Sequence, residues 1–182
     1  MRYTRFGISL FTLAVVAGPL YTVPEYSAVR NLVSELAAQN APRNWLMSTA
    51  FIVLGACIAA DGAKRFARHL VPFMAFGLFM ALAGLFGHKP INPDAAYVAW
   101  VHSAHSALAT VAGVSITLAL AWQAFRQPLP AQRAIAGALA VVCLALPLTM
   151  LWFPPLQGLV QRTMYALIFA WLWLNYPTKT HA

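Results

Sequence analysis

Two histidines three residues apart, His102 and His105, lie inside the apolar run AYVAWVHSAHSALATV. Side chains at this spacing project from the same face of an α-helix. Neutral imidazole binds zinc and haem iron, and it can act as a general base. His88, a little earlier in the chain, could supply a third nitrogen ligand and leave one coordination position for water. The three histidines therefore indicate either a metal site or hydrogen-bonded residues of a packed bundle.

Acidic, hydroxyl and guanidinium side chains elsewhere could complete such a site, and they are Ser34, Glu35, Asp94 and Arg162. Zinc-bound water ionises near neutral pH, so Glu35 could serve as its general base. Arg162 could stabilise an oxyanion, or it could bind the anionic headgroup of a ligand together with Ser34 and Asp94. If Arg162 pairs with Glu35 or Asp94 instead, its charge is neutralised and its role is structural.

The elements that must position these residues are membrane helices, as the composition indicates. Of the 182 residues, 61% are hydrophobic and only 9% are charged, whereas about a quarter of a soluble domain is charged. The excess apolar surface must face hydrocarbon. We predict one all-α integral membrane domain, residues 1–182, with six transmembrane helices. The predicted spans are roughly Arg5–Tyr21, Asn44–Ala60, Leu70–Phe86, Ala99–Trp122, Ala134–Phe153 and Pro155–Tyr176.

The positive charges predict the orientation of these spans, because lysine and arginine are retained on the cytoplasmic side of a membrane. Most of the 12 Lys and Arg residues fall on the side of the two termini. Both termini should therefore lie in the cytoplasm, and the expected location is a bacterial cytoplasmic (inner) membrane. The net charge of +8 is mostly explained by this topology. It forms no clustered basic patch, so a nucleic-acid partner is not indicated, and membrane lipids are the expected partners.

The segment between the first two predicted spans carries apolar residues at helical spacing, namely Tyr26, Val29, Leu32, Val33 and Leu36. This pattern predicts a short amphipathic helix that lies on the outer surface. The predicted topology also places the candidate site residues near the same outer face. Because imidazole and guanidinium groups are costly against lipid, we expect Glu35, His102, His105 and Arg162 to converge in one polar outer vestibule.

The runs SELAAQNAPRNWLM and GLVQR and the His102–His105 pair resemble a family of bacterial six-span membrane proteins. This family is catalogued as domain of unknown function family nine-nine-eight. The resemblance covers nearly the whole chain in span order and carries no established activity. Asp94 stands behind an inserted-looking HKPIN, where members of the family often carry an acidic residue sooner. The resemblance implies that the marked positions are Ser34, Glu35, His102, His105 and Arg162.

Three functions are compatible with these residues. The first is a non-catalytic multi-pass membrane protein whose outer vestibule binds an anionic lipid or a small amphiphile. The second is a zinc-dependent hydrolase acting on a lipid-like substrate, and here the serine, acid and three histidines are distantly similar to the ceramidase and progestin-receptor group. The third is a haem-binding electron carrier, for which His88 and His102 could hold one haem. The sequence leaves open whether the protein is an enzyme.

Overall fold

The computed structural model describes residues 2–176, and this part of the chain is a bundle of six α-helices. Three short 3-10 helices, Val33–Ala37, Arg68–Leu70 and Pro154–Leu156, lie in the connections. The prediction of an all-helical chain is confirmed. The helices are α1 (Arg2–Tyr21), α2 (Trp45–Ala63), α3 (Val71–Ala83), α4 (Ala99–Arg126), α5 (Pro130–Trp152) and α6 (Gln157–Asn175).

Four of the six helices are long and apolar enough to cross a membrane: α1, α2, α4 and α5. Helix α3, together with the 3-10 turn before it, is a shorter apolar helix. Helix α6 begins with the polar sequence Gln157 to Thr163, which includes Arg162 and lowers its hydropathy. The chain is therefore a membrane-embedded multi-pass protein by the composition of its helices.

Each helix packs against the next in the sequence, and α6 returns to α1. Three connections meet at one end of the bundle, which we call the long-loop end: residues 22–44, 84–98 and 153–156. The Gln39 N–H donates to the His88 carbonyl at 2.8 Å and joins the first two connections, and the Leu159 N–H in the first turn of α6 donates to the Val29 carbonyl at 3.0 Å. The opposite end, where α1 begins and α6 ends, we call the termini end. There the Tyr176 hydroxyl donates to the Ile58 carbonyl at 3.0 Å.

Helices α2 and α3 are in close contact through two glycines. A Cβ atom placed on Gly77 would lie 2.6 Å from the Gly55 carbonyl oxygen and 2.8 Å from the Ala59 nitrogen. A Cβ atom on Gly55 would collide with the Gly77 carbonyl oxygen. Small residues that let two backbones approach are typical of helix packing inside membranes. This contact fixes the position of α3 beside α2, and it therefore also fixes the position of the C-terminal end of α3.

Helix α5 is packed along only one half of its length. Its buried residues are Ala136, Ala140 and Cys143, at spacings of a helical face, and all lie toward the termini end. From residue 144 onward every side chain of α5 is exposed or only partly buried. Pro147 lies in this second half, where it removes one main-chain donor and disturbs the hydrogen bonding of the preceding turn. A space therefore remains between α5 and the bundle near the long-loop end.

The predicted amphipathic surface helix between α1 and α2 is wrong. In its place the chain makes turns and then the 3-10 helix Val33–Ala37, whose five residues are all buried. Val33 and Leu36, expected on a lipid-facing stripe, belong instead to the hydrophobic core. The physical reason is that the segment is held by the bundle: the Val33 N–H donates to the Gln161 side chain of α6 at 2.6 Å. This segment covers the long-loop end and contributes to the site.

Candidate functional site

The unpacked half of α5 borders a cavity of about 580 Å³. Ligand pockets for small molecules commonly have volumes of about 300–1,000 Å³. Side chains from α2 to α6 and from the Val33–Ala37 turn line it, and most of them are apolar. We call it the α4–α5 cavity. Along α4 it extends from His105 to Leu118, about 20 Å at the rise of an α-helix.

The α4–α5 cavity is open on the side that faces the surroundings of the bundle. Four large apolar residues of its lining are more than half exposed: Val114, Leu118, Leu144 and Leu148. Gly113 also lines it, and a Cβ atom on Gly113 would meet nothing within 4 Å. In a membrane this opening would face hydrocarbon chains rather than water. An apolar molecule could enter it sideways from the bilayer.

Several polar groups on the wall of the α4–α5 cavity have no hydrogen-bond partner among residues 2–176. Ser34 is 6% exposed, and its hydroxyl bonds to none of the described residues. The Tyr165 hydroxyl, which also lines the cavity, likewise forms no hydrogen bond with any described residue. Gln161 uses its Oε1 atom to accept the Val33 N–H, which leaves its amide N–H groups available. By contrast, the Thr110 and Thr117 hydroxyls donate to carbonyls of their own helix at 2.8 and 2.9 Å.

His105 is 3% exposed and joins the cavity wall to the end of α3. Its Nδ1 atom lies 2.9 Å from the Ala83 carbonyl oxygen and 2.9 Å from the Phe86 carbonyl oxygen. Carbonyl oxygens only accept hydrogen bonds, so Nδ1 must carry the proton. The ring thus adds a second donor to the Ala83 carbonyl, which also accepts the Phe86 N–H at 3.2 Å, and it supplies a donor to the Phe86 carbonyl just after the end of α3. In the neutral ring the remaining nitrogen, Nε2, is an acceptor.

His88 and His102 lie next to His105, with ring centroids 5.6 Å from His88 to His105 and 4.6 Å from His88 to His102. The Nδ1 atom of His88 is 3.1 Å from the Lys89 carbonyl oxygen, so it too donates. The Nδ1 atom of His102 accepts the Lys89 N–H at 3.2 Å, which places its proton on Nε2. His102 therefore has the opposite tautomer from the other two rings.

In this arrangement only two of the three histidines, His88 and His105, present an unprotonated Nε2 atom. Zinc-binding histidines commonly donate one ring N–H to a carbonyl and bind the metal through the other nitrogen. His88 and His105 meet this requirement, but Nε2 of His102 is protonated. Within residues 2–176, no group of three or more His, Cys, Asp or Glu side chains is placed to hold a metal ion. We derive no metal chemistry from this cluster, and metal or haem binding stays a prediction of the sequence.

His88 is 7% exposed, in the connection between α3 and α4. Burial lowers the pKa of His88 to about 3, because the charged ring would lose its hydration. Repulsion from Lys89, and from His105 and His102 when they are protonated, lowers the pKa of His88 further, while the hydrogen bond to the Lys89 carbonyl opposes this. His88 is therefore neutral at physiological pH.

Arg162 pairs with no carboxylate among the described residues, so the sequence-based choice between a structural ion pair and a ligand site has a third answer. One guanidinium nitrogen donates to the carbonyls of Asn31 and Gly158, each at 2.9 Å. The other donates to the Tyr26 hydroxyl, and the Tyr26 ring lies 5.7 Å from the guanidinium carbon. Arg162 thus ties segment 22–44 to the first turn of α6 and does not line the α4–α5 cavity.

Glu35 is 6% exposed and takes part in the same anchoring. Its carboxylate accepts the Leu32 N–H at 2.6 Å, which caps the 3-10 helix. Burial raises the pKa of Glu35 above its ordinary value, although hydrogen bonds from the Leu32 N–H and the Asn31 side chain oppose this effect. Glu35 does not line the cavity, so a role as general base there has no geometric support in this structure.

The predicted site residues are therefore divided among three places. Ser34 and His105 line the α4–α5 cavity, whereas Glu35 and Arg162 anchor the loops. His102 is half-buried beside His88, and Asp94 is exposed in the connection 84–98. A second, open groove of about 370 Å³ at the long-loop end includes Glu25 and Arg30 in its wall but none of the seven predicted site residues. The structure thus brings only two of them to one cavity.

Sequence reasoning assigned no site role to four residues that define the cavity. Gln161 and Tyr165 supply polar groups, while Gly113 and Pro147 shape the space. Gln161 could have been noticed as a neutral polar residue beside Arg162 in an otherwise apolar span. Pro147 was visible as a helix-disturbing residue, but its effect on the packing of α5 required the structure.

Comparison with known proteins gives one finding of similarity. A family model described as "Protein of unknown function (DUF998)" matches residues 7–175 of the chain. The same comparison found no curated protein and no solved structure that matches the chain. The family resemblance expected from the SELAAQNAPRNWLM and GLVQR runs is confirmed.

Proposed function

The chain belongs to the family of unknown function DUF998, and we propose that it is a multi-pass membrane protein that binds an amphiphile in the α4–α5 cavity. The family supplies no activity, so the proposal depends on the cavity. The observation that supports it is that one cavity is lined by both apolar and polar side chains. Most of the wall is apolar, and a few polar groups with free hydrogen-bonding capacity are contributed by Ser34, His105, Gln161 and Tyr165.

An amphiphile matches both parts of this wall. Its hydrocarbon chain would lie against Val114, Leu118, Leu144 and Leu148, which are exposed on the open side. Transfer between two hydrocarbon environments gains little free energy, so apolar contact alone gives weak selectivity. The polar groups supply the selectivity, because a headgroup with matching donors and acceptors satisfies atoms that otherwise lack partners in an apolar site.

The proposal includes six membrane spans with both termini in the cytoplasm, in the cytoplasmic (inner) membrane of a bacterium. The charge distribution supports this orientation. Cysteine placed at Pro93, exposed at the long-loop end, should react with a membrane-impermeant maleimide added to intact cells. Cysteine at Phe66, exposed in the connection at the termini end, should react only after the membrane is opened. The reverse pattern would invert the proposed orientation.

Filling the cavity tests whether it binds a chain. We expect Gly113→Leu to project a side chain into the open space without harming the fold, because leucine is a better helix former than glycine by roughly 0.5–1 kcal/mol. The matched control is Ala107→Leu on the same helix, at an exposed position that does not line the cavity. Neither variant should be less stable in detergent than the original protein by more than about 0.5 kcal/mol.

The probes are two C12 chains that carry a diazirine near the chain end, one a monoacylglycerol and the other a fatty acid. After irradiation in nanodiscs, at least one of them should label peptides covering residues 109–118 or 143–150. Labelling should fall strongly in Gly113→Leu and stay unchanged in Ala107→Leu. If neither probe labels these peptides, or if filling the cavity changes nothing, the binding proposal is wrong.

A further inference from the structure

We infer that the α4–α5 cavity selects an amphiphile with an uncharged headgroup that carries a hydroxyl group next to a carbonyl group. This inference rests on the proposed function and names the class of ligand. It departs from the anionic lipid that the sequence suggested. The argument uses the charge of the wall, the tautomer of His105 and the amide of Gln161.

The wall of the cavity offers no charge to an ionic headgroup. None of the described residues that line it is Lys, Arg, Asp or Glu. Arg162, the cation that the sequence had assigned to an anion, already donates to Asn31, Gly158 and Tyr26. An unpaired carboxylate or phosphate in such a site would lose its hydration without an opposite charge in return. An uncharged headgroup avoids this cost.

His105 requires a hydrogen-bond donor on the ligand. Its Nδ1 proton is directed at the carbonyls of Ala83 and Phe86, both at 2.9 Å. The remaining ring atom, Nε2, therefore has a lone pair, and among residues 2–176 it accepts no hydrogen bond. A carboxylate or an ester brings only acceptors and would leave this lone pair unmatched, whereas a hydroxyl group donates to it.

Gln161 requires an acceptor on the ligand. Because its Oε1 atom accepts the Val33 N–H at 2.6 Å, its orientation is fixed and its amide N–H groups are the free ones. These groups can only donate, so they fit a carbonyl oxygen. Ser34 and Tyr165 can donate or accept and adapt to either group. The combined requirement is one donor and one acceptor on the same neutral headgroup.

Three C12 probes in phosphatidylcholine nanodiscs at pH 8 separate the possibilities. They are monoacylglycerol, which has hydroxyls and an ester; the methyl ester, which has only acceptors; and dodecanesulfonate, which stays anionic because a sulfonate is not protonated at this pH. We expect monoacylglycerol to bind about tenfold more tightly than each of the others, as measured by equilibrium partition between protein-containing and empty nanodiscs. The ¹⁵N signal of His105 Nε2 should shift with monoacylglycerol alone.

Two conservative variants test the named groups. Ser34→Ala and Tyr165→Phe each remove one hydroxyl, and the Tyr165 ring keeps its packing against Phe11 and Phe169. Each should weaken monoacylglycerol about fivefold and leave the methyl ester within twofold. The control is Ser115→Ala, a buried serine that lies outside the cavity wall and already donates to the Val111 carbonyl. It should change neither affinity.

The outcomes distinguish this inference from the proposed function. If dodecanesulfonate binds as tightly as monoacylglycerol or more tightly, the headgroup inference is wrong while binding of a chain stands. If monoacylglycerol binds best but Ser34→Ala and Tyr165→Phe have no effect, the assignment of the headgroup to these residues fails. If no probe binds above the empty nanodiscs, both the inference and the proposed function are wrong.

Discussion

The α2–α3 contact and the α4–α5 contact both contain glycine, but the glycines have opposite surroundings. A Cβ atom on Gly77 would press against the backbone of α2, only 2.6 Å from the Gly55 carbonyl oxygen. A Cβ atom on Gly113 of α4 would have no neighbour within 4 Å. A small residue therefore gives close packing where the partner helix also offers one, and it gives open space where the partner helix stands away.

The difference arises mainly from α5. Ala136, Ala140 and Cys143 pack the first part of α5 against the bundle, and no later residue of α5 is buried. In water such a gap would be costly, because packing and burial of apolar surface would both be lost. In a bilayer, lipid chains or another amphiphile can fill the gap, so the fold can maintain it. The comparison separates a contact that holds the fold from a space that is available for binding.

The largest expected effect is on the close contact. Gly77→Val should prevent α3 from packing on α2, because the added atoms meet main-chain atoms that cannot move aside; overpacking of this kind costs about 1–3 kcal/mol or more. Gly113→Val should be close to neutral. Thermal unfolding of both variants in the same detergent is the measurement. Equal melting temperatures would contradict the distinction between the two glycines.

Substitution of Arg162 tests which contacts hold segment 22–44 against α6 at the long-loop end. Arg162→Met removes three hydrogen bonds to buried or partly buried oxygens and should destabilise the fold by roughly 3 kcal/mol. Arg30→Met, at an exposed position of the same segment, is the control and should cost less than about 0.5 kcal/mol. Chemical unfolding followed by circular dichroism would measure both. If Arg162→Met is as stable as Arg30→Met, the loops are held by other contacts.

The smallest expected effect concerns His88, which is buried in the connection 84–98 between α3 and α4. Its pKa is about 3 when folded and about 6.5 when unfolded, so the unfolded chain takes up a proton that the folded chain excludes. The stability due to this difference is complete above pH 6.5 and is lost as the pH falls toward 3. The expected loss from His88 is about 2 kcal/mol between pH 7.5 and pH 5.

His88→Asn removes the titrating group and keeps a side-chain donor for the Lys89 carbonyl. The pH dependence between 7.5 and 5 should therefore be flatter in this variant than in the original protein. The raised pKa of Glu35 has the opposite effect on stability, because the contribution of Glu35 is present at low pH and is lost as the pH rises. An unchanged slope in His88→Asn would show that His88 is hydrated or partnered differently in the folded protein.

The helices were predictable from the sequence because a membrane span needs about 20 consecutive apolar residues. The predicted third span ended at Phe86, whereas α3 ends at Ala83 and residues 84–86 form turns. Hydropathy alone cannot detect this change, since Leu85 and Phe86 are apolar in either conformation. Ser34 and His105, which line the cavity, were noticed because polar residues in apolar surroundings are uncommon.

The environment of Arg162 could not be predicted in the same way. The sequence suggested a carboxylate or a ligand, but its partners include the carbonyls of Asn31 and Gly158. Every residue has a carbonyl group, so main-chain partners leave no trace in the residue types. The prediction for the segment from Tyr26 to Leu36 was wrong for a related reason. Its apolar spacing was real, but Val33 and Leu36 belong to the core and Tyr26 packs against it, whereas Val29 is exposed.

Helix α6 has a consequence for how the protein is made. Near the termini end, Trp171 stacks on Phe73 of α3 with centroids 5.3 Å apart, and Tyr176 donates to Ile58 of α2. Phe169 packs edge-on against Phe11 of α1. Helices α1, α2 and α3 thus precede, in the chain, the helix that covers part of their inner faces. Until α6 is synthesised, their inner faces are open to lipid or to a membrane chaperone, and the early half of the bundle cannot reach its final packing.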